Sequence, residues 1–221
     1  MQPRLSPKRN AAMSLFEVGV VIAVVMVLLV VFAPAFISRG NPSRPWKIVC
    51  INNLKQVGLA YKIWEGDNGD ILPMGISITN GGSMEMVATG NVVQTFLAMS
   101  NELSTPKILI CLADENRFWT NSFSGLSNSN VSYFVGVDVT NDVNPQMILS
   151  GDSNFELAGK PVKSGLVALW TNDPVAWPPA TRHIKSGNIG LADGSVQSTI
   201  SSSLRSYFQQ TSFVTNRLAI P

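Results

Sequence analysis

Residues 13–37 read MSLFEVGVVIAVVMVLLVVFAPAFI, and the rest of the chain is placed relative to this stretch. It holds one charge, Glu17, followed by twenty residues, Val18 to Ile37, with no ionisable side chain. At about 1.5 Å per residue, one helix of that length crosses a hydrocarbon core of roughly 30 Å. The run exceeds the apolar core of about 7–15 residues found in a cleaved secretory signal, and FAPAF at residues 32–36 makes a poor cleavage site. Residues 1–12 carry Arg4, Lys8 and Arg9 and no acid. Positive charge beside a membrane helix is retained in the cytoplasm, which predicts a cytoplasmic N-terminus and an exported head. A carboxylate inside an apolar helix costs about 2.5–3.5 kcal/mol at the bilayer centre and less near the edge, which marks Glu17 as functional.

Beyond Ile37 thirteen basic residues face thirteen acidic ones. A head without net charge lacks the basic footprint of a nucleic-acid binder, and that class is set aside. What remains after Ile37 is enough for one domain with its own core. An exported head sits in an oxidising compartment, where Cys50 and Cys111 are free to pair; two buried thiols are the alternative.

Along the chain, Ser38 to Pro45 contain Gly40, Pro42 and Pro45, which predict a hinge over 38–45 between the membrane helix, 13–37, and the head, 46–221. Ser43 is placed to cap a new helix near Pro45. Ile51, Leu54, Gly58 and Tyr61 fall at helical spacing and carry that helix to about Trp64, with Asp67-Asn68-Gly69-Asp70 ending it. Residues 131–139, 146–150 and 165–170 read as strands separated by Asn, Gly, Pro and Ser. Residues 188–200 read as a hairpin around Asp193-Gly194, with a two-residue turn that sets Leu191 opposite Val196. Ser201 or Ser202 then caps a short helix carrying Leu204, Tyr207 and Phe208. The sum is an α+β head behind a membrane helix.

No constellation for catalysis is found. Gly-x-Ser-x-Gly, His-Glu-x-x-His, Walker and Gly-x-Gly-x-x-Gly patterns are absent, and His183 is the sole histidine, which excludes a histidine-based metal cluster. Zinc needs three or four ligands, and the two cysteines stand far apart in the chain. A His183–Asp193 dyad would require the chain to reverse at Ser186-Gly187. His183 is therefore read as fixing the start of the last hairpin. The five tryptophans, Trp46, Trp64, Trp119, Trp170 and Trp177, read as core or interface residues.

The sequence Met13-Ser14-Leu15-Phe16-Glu17-Val18, followed by Val20-Val21-Ile22-Ala23, resembles the N-terminal segment of type IV pilins and type II secretion pseudopilins. The resemblance implies cleavage by a prepilin peptidase between Ala12 and Met13 and methylation of the new amine. It also implies pairing of Glu17 with a neighbouring subunit's N-terminus, and a helix-bending role for Pro34. Ala12 and Met13 stand where the family usually has Gly and Phe. Cys50-Ile51-Asn52-Asn53-Leu54-Lys55-Gln56, Cys111-Leu112-Ala113-Asp114, and His183 nine residues ahead of Asp193-Gly194 resemble the pilin-like H-x9-D-G group numerous in planctomycetes and verrucomicrobia. In that group Cys111 and Asp114 close a strand.

The fold implied is pilin-like: a long N-terminal transmembrane helix and a head with a helix packed on an antiparallel sheet. The implied role is a structural, non-enzymatic subunit of a secretion or pilus-like fibre. Its place would be the bacterial inner membrane, with the head periplasmic and other pilin-like subunits as partners. A membrane-anchored envelope binding module that does not polymerise is the alternative. Major pseudopilins bind calcium in a C-terminal loop, which makes Asp152 and Asp193, with Asp173, candidate calcium ligands here.

Overall fold

A computed structural model describes residues 15–36, 43–141, 144–180, 182–211 and 213–221, the side chains of 33–36 and 43–45 excepted. The chain divides into two compact units, residues 1–41 and 42–221.

In the first unit, helix α1 (Leu15–Phe36) is apolar around its whole circumference. Its window Leu15–Phe32 has a mean hydropathy of 3.0, and none of it is buried. Among the described residues it is one helix long and apolar enough to cross a membrane. Nothing about its composition selects one face for a core.

The second unit begins with helix α2 (Ser43–Asp67), so the break predicted over 38–45 ends earlier: Ser43, Arg44 and Pro45 are helical. Proline is tolerated there because the first-turn N–H groups of a helix have no intrahelical acceptor. The buried stripe of α2 is Cys50, Leu54, Val57, Tyr61 and Trp64, spaced four, three, four and three residues apart. Ile51 lies at its margin, while Leu59 and Ile63 face outward. The helix stops where Asn68 and Asp70 N–H groups both donate to the Glu65 carbonyl at 3.0 Å, with Gly69 and Asp70 at positive φ. Short helices α3 (Met84–Val87), α4 (Val93–Ala98) and α5 (Ser100–Leu103) and a 3-10 turn at Pro106–Leu109 follow. The strand expected to end at Cys111 is not formed. Pro106 starts the tight turn instead, and Ile108 and Leu109 are buried from it.

The strands are β1 (Tyr133–Gly136), β2 (Ile148–Asp152), β3 (Glu156–Leu157), β4 (Lys160–Pro161), β5 (Gly165–Trp170), β6 (Val175–Ala176), β7 (Ser186–Leu191), β8 (Val196–Ile200) and β9 (Thr215–Ile220). Six make one antiparallel sheet in the order β5-β9-β1-β2-β7-β8, and β4-β3-β6 make a small second sheet. Helix α6 (Ser201–Gln210) connects β8 to β9, with Ile200 rather than a serine at its N-cap.

Alternation along the strands sends neighbouring residues to two different cores. Val135, Leu149 and Ala219 pack with Val57, Tyr61 and Trp64 of α2. Phe134, Ile148 and Leu218 pack with Leu204 and Phe208 of α6 and with Trp177. A strand covered on both faces loses its polar side, which is why every residue of β2 and β7 is buried. The architecture is α+β: one apolar N-terminal helix, followed in the chain by a unit of helix and antiparallel sheet.

The last hairpin differs from its predicted register by one residue. Gly190 pairs with Val196, and the Leu191 N–H donates to the Ser195 carbonyl at 2.9 Å. Three residues, Ala192, Asp193 and Gly194, therefore form the loop, and of these only Gly194 is at positive φ. That is the three-residue hairpin with glycine at the left-handed position, not a two-residue type I′ turn. Its purpose is visible in the packing. A Cβ on Gly58 of α2 would stand 3.2 Å from the Gly194 carbonyl oxygen, so the turn lies directly on the helix backbone.

Candidate functional site

Two features stand out chemically: the uncovered helix α1 and a buried polar cluster where α2, β2 and the loop before β7 meet.

On α1, Glu17 lies in the first turn, and Phe16, Val20 and Val21 line an apolar groove beside it. Ala12 and Met13 lie outside the described residues. Pro34 falls within the helical span, and its side chain lies outside the described residues.

The cluster is assembled by chain geometry. Cys50, near the start of α2, forms a disulfide with Cys111, their Cα atoms 5.1 Å apart across a separation of 61 residues. His183 reaches the same point from the other side, its Nε2 3.3 Å from Cys111 Sγ and 3.6 Å from Asp152 Oδ2. The imidazole has no exposed surface. Arg182, Ile184 and Lys185, which bracket it, all adopt positive φ. Left-handed backbone at a β-branched residue such as Ile184 is costly and persists only where its surroundings enforce it. Here the Ser186 hydroxyl donates to the His183 carbonyl at 2.6 Å, and Lys47 of α2 donates to that hydroxyl at 3.0 Å.

Asp152, at the end of β2, is fully buried and accepts from Asn188 through the backbone N–H at 2.7 Å and the side-chain amide at 3.0 Å. The β2–β7 register, with Gly151 opposite Ile189, brings these two residues side by side. Next to them Arg182 donates to the Asp114 carboxylate, to the Ser132 carbonyl at 2.9 Å and to the Ser153 hydroxyl at 3.3 Å. The Ser132 hydroxyl also donates to Asp114 at 2.8 Å. Asp114 and Arg182 form the floor of a cleft of about 220 Å³ whose rim includes Glu115, Asn116 and Asn154.

No match is found among family models, curated proteins or solved structures.

Burial pushes the His183 imidazole below its ordinary pKa; Asp152 opposes the shift, and Lys47 and Arg182 add to it. Burial likewise pushes Asp152 upward, against the pull of His183, Arg182 and the Asn188 donors. Both directions oppose a separated charge pair inside the protein. The Tyr133 phenol is held protonated mainly by its burial, with Asp152 and Asp114 adding to the shift. Among the described residues, Asp152 Oδ1, His183 Nδ1 and Asn188 Oδ1 are buried without a hydrogen-bond partner. Three such atoms at one point are unusual, because buried polar groups are normally paired.

The H-x9-D-G residues do not form a common site. Strand β7 runs straight from Ser186 to Leu191, so no reversal occurs at Ser186-Gly187, and His183 and Asp193 sit beyond its opposite ends. His183 faces Asp152 instead. Asp193 is exposed and accepts from the Ser195 N–H at 2.8 Å as a turn residue. The candidate calcium ligands are likewise separated. Asp152 is opposite Asn188, five residues before Asp193, a span of roughly 15 Å along a strand. Asp173 holds its own turn by accepting from the Trp170 N–H at 2.8 Å. Sequence reading missed Asp152, Arg182, Asn188 and Lys47 as neighbours of His183. Arg182 precedes His183 in the chain, whereas the β2–β7 register brings in Asp152 opposite Asn188 and the packing of α2 brings in Lys47.

Proposed function

We propose that this chain is a structural, pilin-like subunit held in the bacterial inner membrane before assembly into a secretion or pilus-like fibre. The reading rests on one observation: α1 is uniformly apolar and unburied from Leu15 to Phe32, with a single acid in its first turn. Such a helix needs lipid or other apolar helices around it. A carboxylate at its start needs a positive partner when water is removed. A neighbouring subunit's N-terminal amine, freed by cleavage at Ala12–Met13, supplies that partner and keys the register of packing. The head, with α2 laid on an antiparallel sheet, is then the part displayed on the fibre surface and held on the periplasmic side until assembly.

The test is the intact mass of the protein recovered from membranes, paired with a Glu17→Val variant. A start at Met13 carrying one added methyl, and loss of the variant from sheared fibres while it remains in the membrane, are expected. An unprocessed N-terminus overturns the reading. A processed protein whose Glu17→Val variant behaves like the native chain points to the anchored, non-polymerising binding module instead.

A further inference from the structure

We propose that Cys50, Cys111, His183 and Asp152 form a zinc site in the reduced chain, so that metal loading and disulfide closure are alternative states of one cluster. Against the expectation from their spacing in the chain, the fold brings the sulfur atoms of Cys50 and Cys111 and a ring nitrogen of His183 within 4.8 Å of one another. Tetrahedral zinc, with bonds of about 2.3 Å to sulfur and 2.0–2.2 Å to nitrogen and oxygen, sets ligand–ligand edges of about 3.4–3.8 Å. The Cys111 Sγ to His183 Nε2 distance of 3.3 Å and the His183 Nε2 to Asp152 Oδ2 distance of 3.6 Å are close to those edges. Asp152 Oδ1 has no hydrogen-bond partner among the described residues and offers a further donor atom. The charges around the cluster are compatible with a bound dication. Two thiolates neutralise Zn²⁺, and the added carboxylate is offset by Lys47, close enough to act on His183, while Arg182 is paired with Asp114. With its proton on Nδ1, His183 presents the Nε2 lone pair toward Cys111 Sγ and the metal.

The redox step balances simply. A phosphine takes an oxygen atom from water and passes two electrons to the Cys50–Cys111 bond, which leaves as two thiols. Each thiol gives its proton to solvent as the cation binds. The disulfide withholds both sulfurs from the metal, so the oxidised chain has only His183 and Asp152 to offer.

The experiment uses the full chain in detergent micelles, reduced by a phosphine and titrated with Co²⁺ as a spectroscopic stand-in for Zn²⁺. Expected are one Co²⁺ per chain, thiolate-to-cobalt charge transfer with tetrahedral d–d bands, bleaching by Zn²⁺, and no such bands in the oxidised chain. His183→Ala should weaken binding by more than the roughly 10–100-fold typical of losing an outer contact. Asp152→Asn should alter the d–d bands while leaving the charge-transfer band in place. Because an unfolded chain also binds cobalt through its thiols, thermal unfolding is followed in the same samples. A cooperative transition raised by the metal supports the site. Absence of the bands, bands unchanged in both variants, or cobalt bound without a cooperative transition overturns it.

Discussion

Helices α1 and α2 are nearly equal in length, 22 and 25 residues, and their surfaces behave in opposite ways. On α1 every described side chain is exposed, and from Val18 onward every one of them is apolar. On α2 one stripe is buried at 0–5% exposure, while Asn52, Lys55, Gln56 and Lys62 occupy the margins and the opposite side. The difference teaches that the apolar stripe of α2 is covered within its own unit, whereas among the described residues α1 leaves a run of membrane-spanning length and composition uncovered. The comparison breaks most visibly under an added charge. Val25→Arg places a cation near the middle of α1, at a cost of about 2.5–3.5 kcal/mol for a helix-centre position in lipid. Recovery of the protein in the membrane fraction should collapse. Ile63→Arg, at an outward position of α2, should change head stability by no more than about 0.5 kcal/mol. Equal tolerance of both substitutions would remove the distinction between the helices.

The fixing of α2 also has a covalent part. Removing the disulfide with Cys50→Ala and Cys111→Ala together opens a loop of 61 residues, which the chain-entropy relation values at about 4 kcal/mol. Denaturant unfolding of the oxidised wild type against the double variant measures it. Membrane recovery through α1 should be unchanged, since the bond lies wholly within the second unit. A loss below about 1 kcal/mol would mean that packing alone holds the N-terminal half of α2.

The two helices were unequally legible in the sequence. The span of α1 follows from composition, because a membrane helix is written in one continuous run of residues. Of the stripe expected on α2, Leu54, Gly58 and Tyr61 are buried and Ile51 is marginal, while Cys50 and Val57 add to the packing unforeseen. The C-terminal strand β9 was not anticipated, although it sits between β5 and β1. Its residues, TNRLAI, are ordinary until the long-range pairing buries them. The polar cluster was illegible for the same reason. Cys111 and His183 are 72 residues apart, and Asp152 joins them only through strand register. The landmark spacing from His183 to Asp193 was legible, but not its meaning: the fold sets the two beyond opposite ends of β7.

A smaller effect tests where α2 meets the last hairpin. Gly194 has φ +82, a conformation that costs an L-residue about 1–2 kcal/mol, and its carbonyl lies against Gly58. Gly194→Ala should destabilise the head by about that amount. Gly58→Ala is expected to displace the turn, since its Cβ would stand 3.2 Å from the Gly194 oxygen. Because both changes act on one contact, the double variant should lose less than the sum of the singles, read by a double-mutant cycle. Additive losses would show that the turn and the helix are energetically independent despite their proximity.

The smallest effect is a slope with pH at the other end of α2, where His183 lies under Lys47. The groups facing the imidazole are Asp152, Lys47 and Arg182; burial leads in lowering its pKa, against Asp152 and with Lys47 and Arg182. Below the ordinary histidine value of about 6.5, the unfolded chain therefore binds a proton that the folded chain refuses. Stability rises with pH through this window and is lost on acidification, by at most about 1.4 kcal/mol per pH unit for one proton. Asp152 contributes with the opposite sign: its raised pKa lets the folded chain keep a proton that the unfolded chain gives up. That contribution is present in acid and fades as pH rises through the raised folded value. Subtracting the profile of His183→Gln from that of the wild type leaves the imidazole together with its pull on Asp152, both profiles being measured by denaturant unfolding of the oxidised chain. The difference should be flat above about pH 6.5 and should turn against the wild type below it. Parallel profiles between pH 7 and pH 5 would place the imidazole in a site that accepts its charged form, contrary to the burial that separates this end of α2 from the solvent that surrounds its outer face.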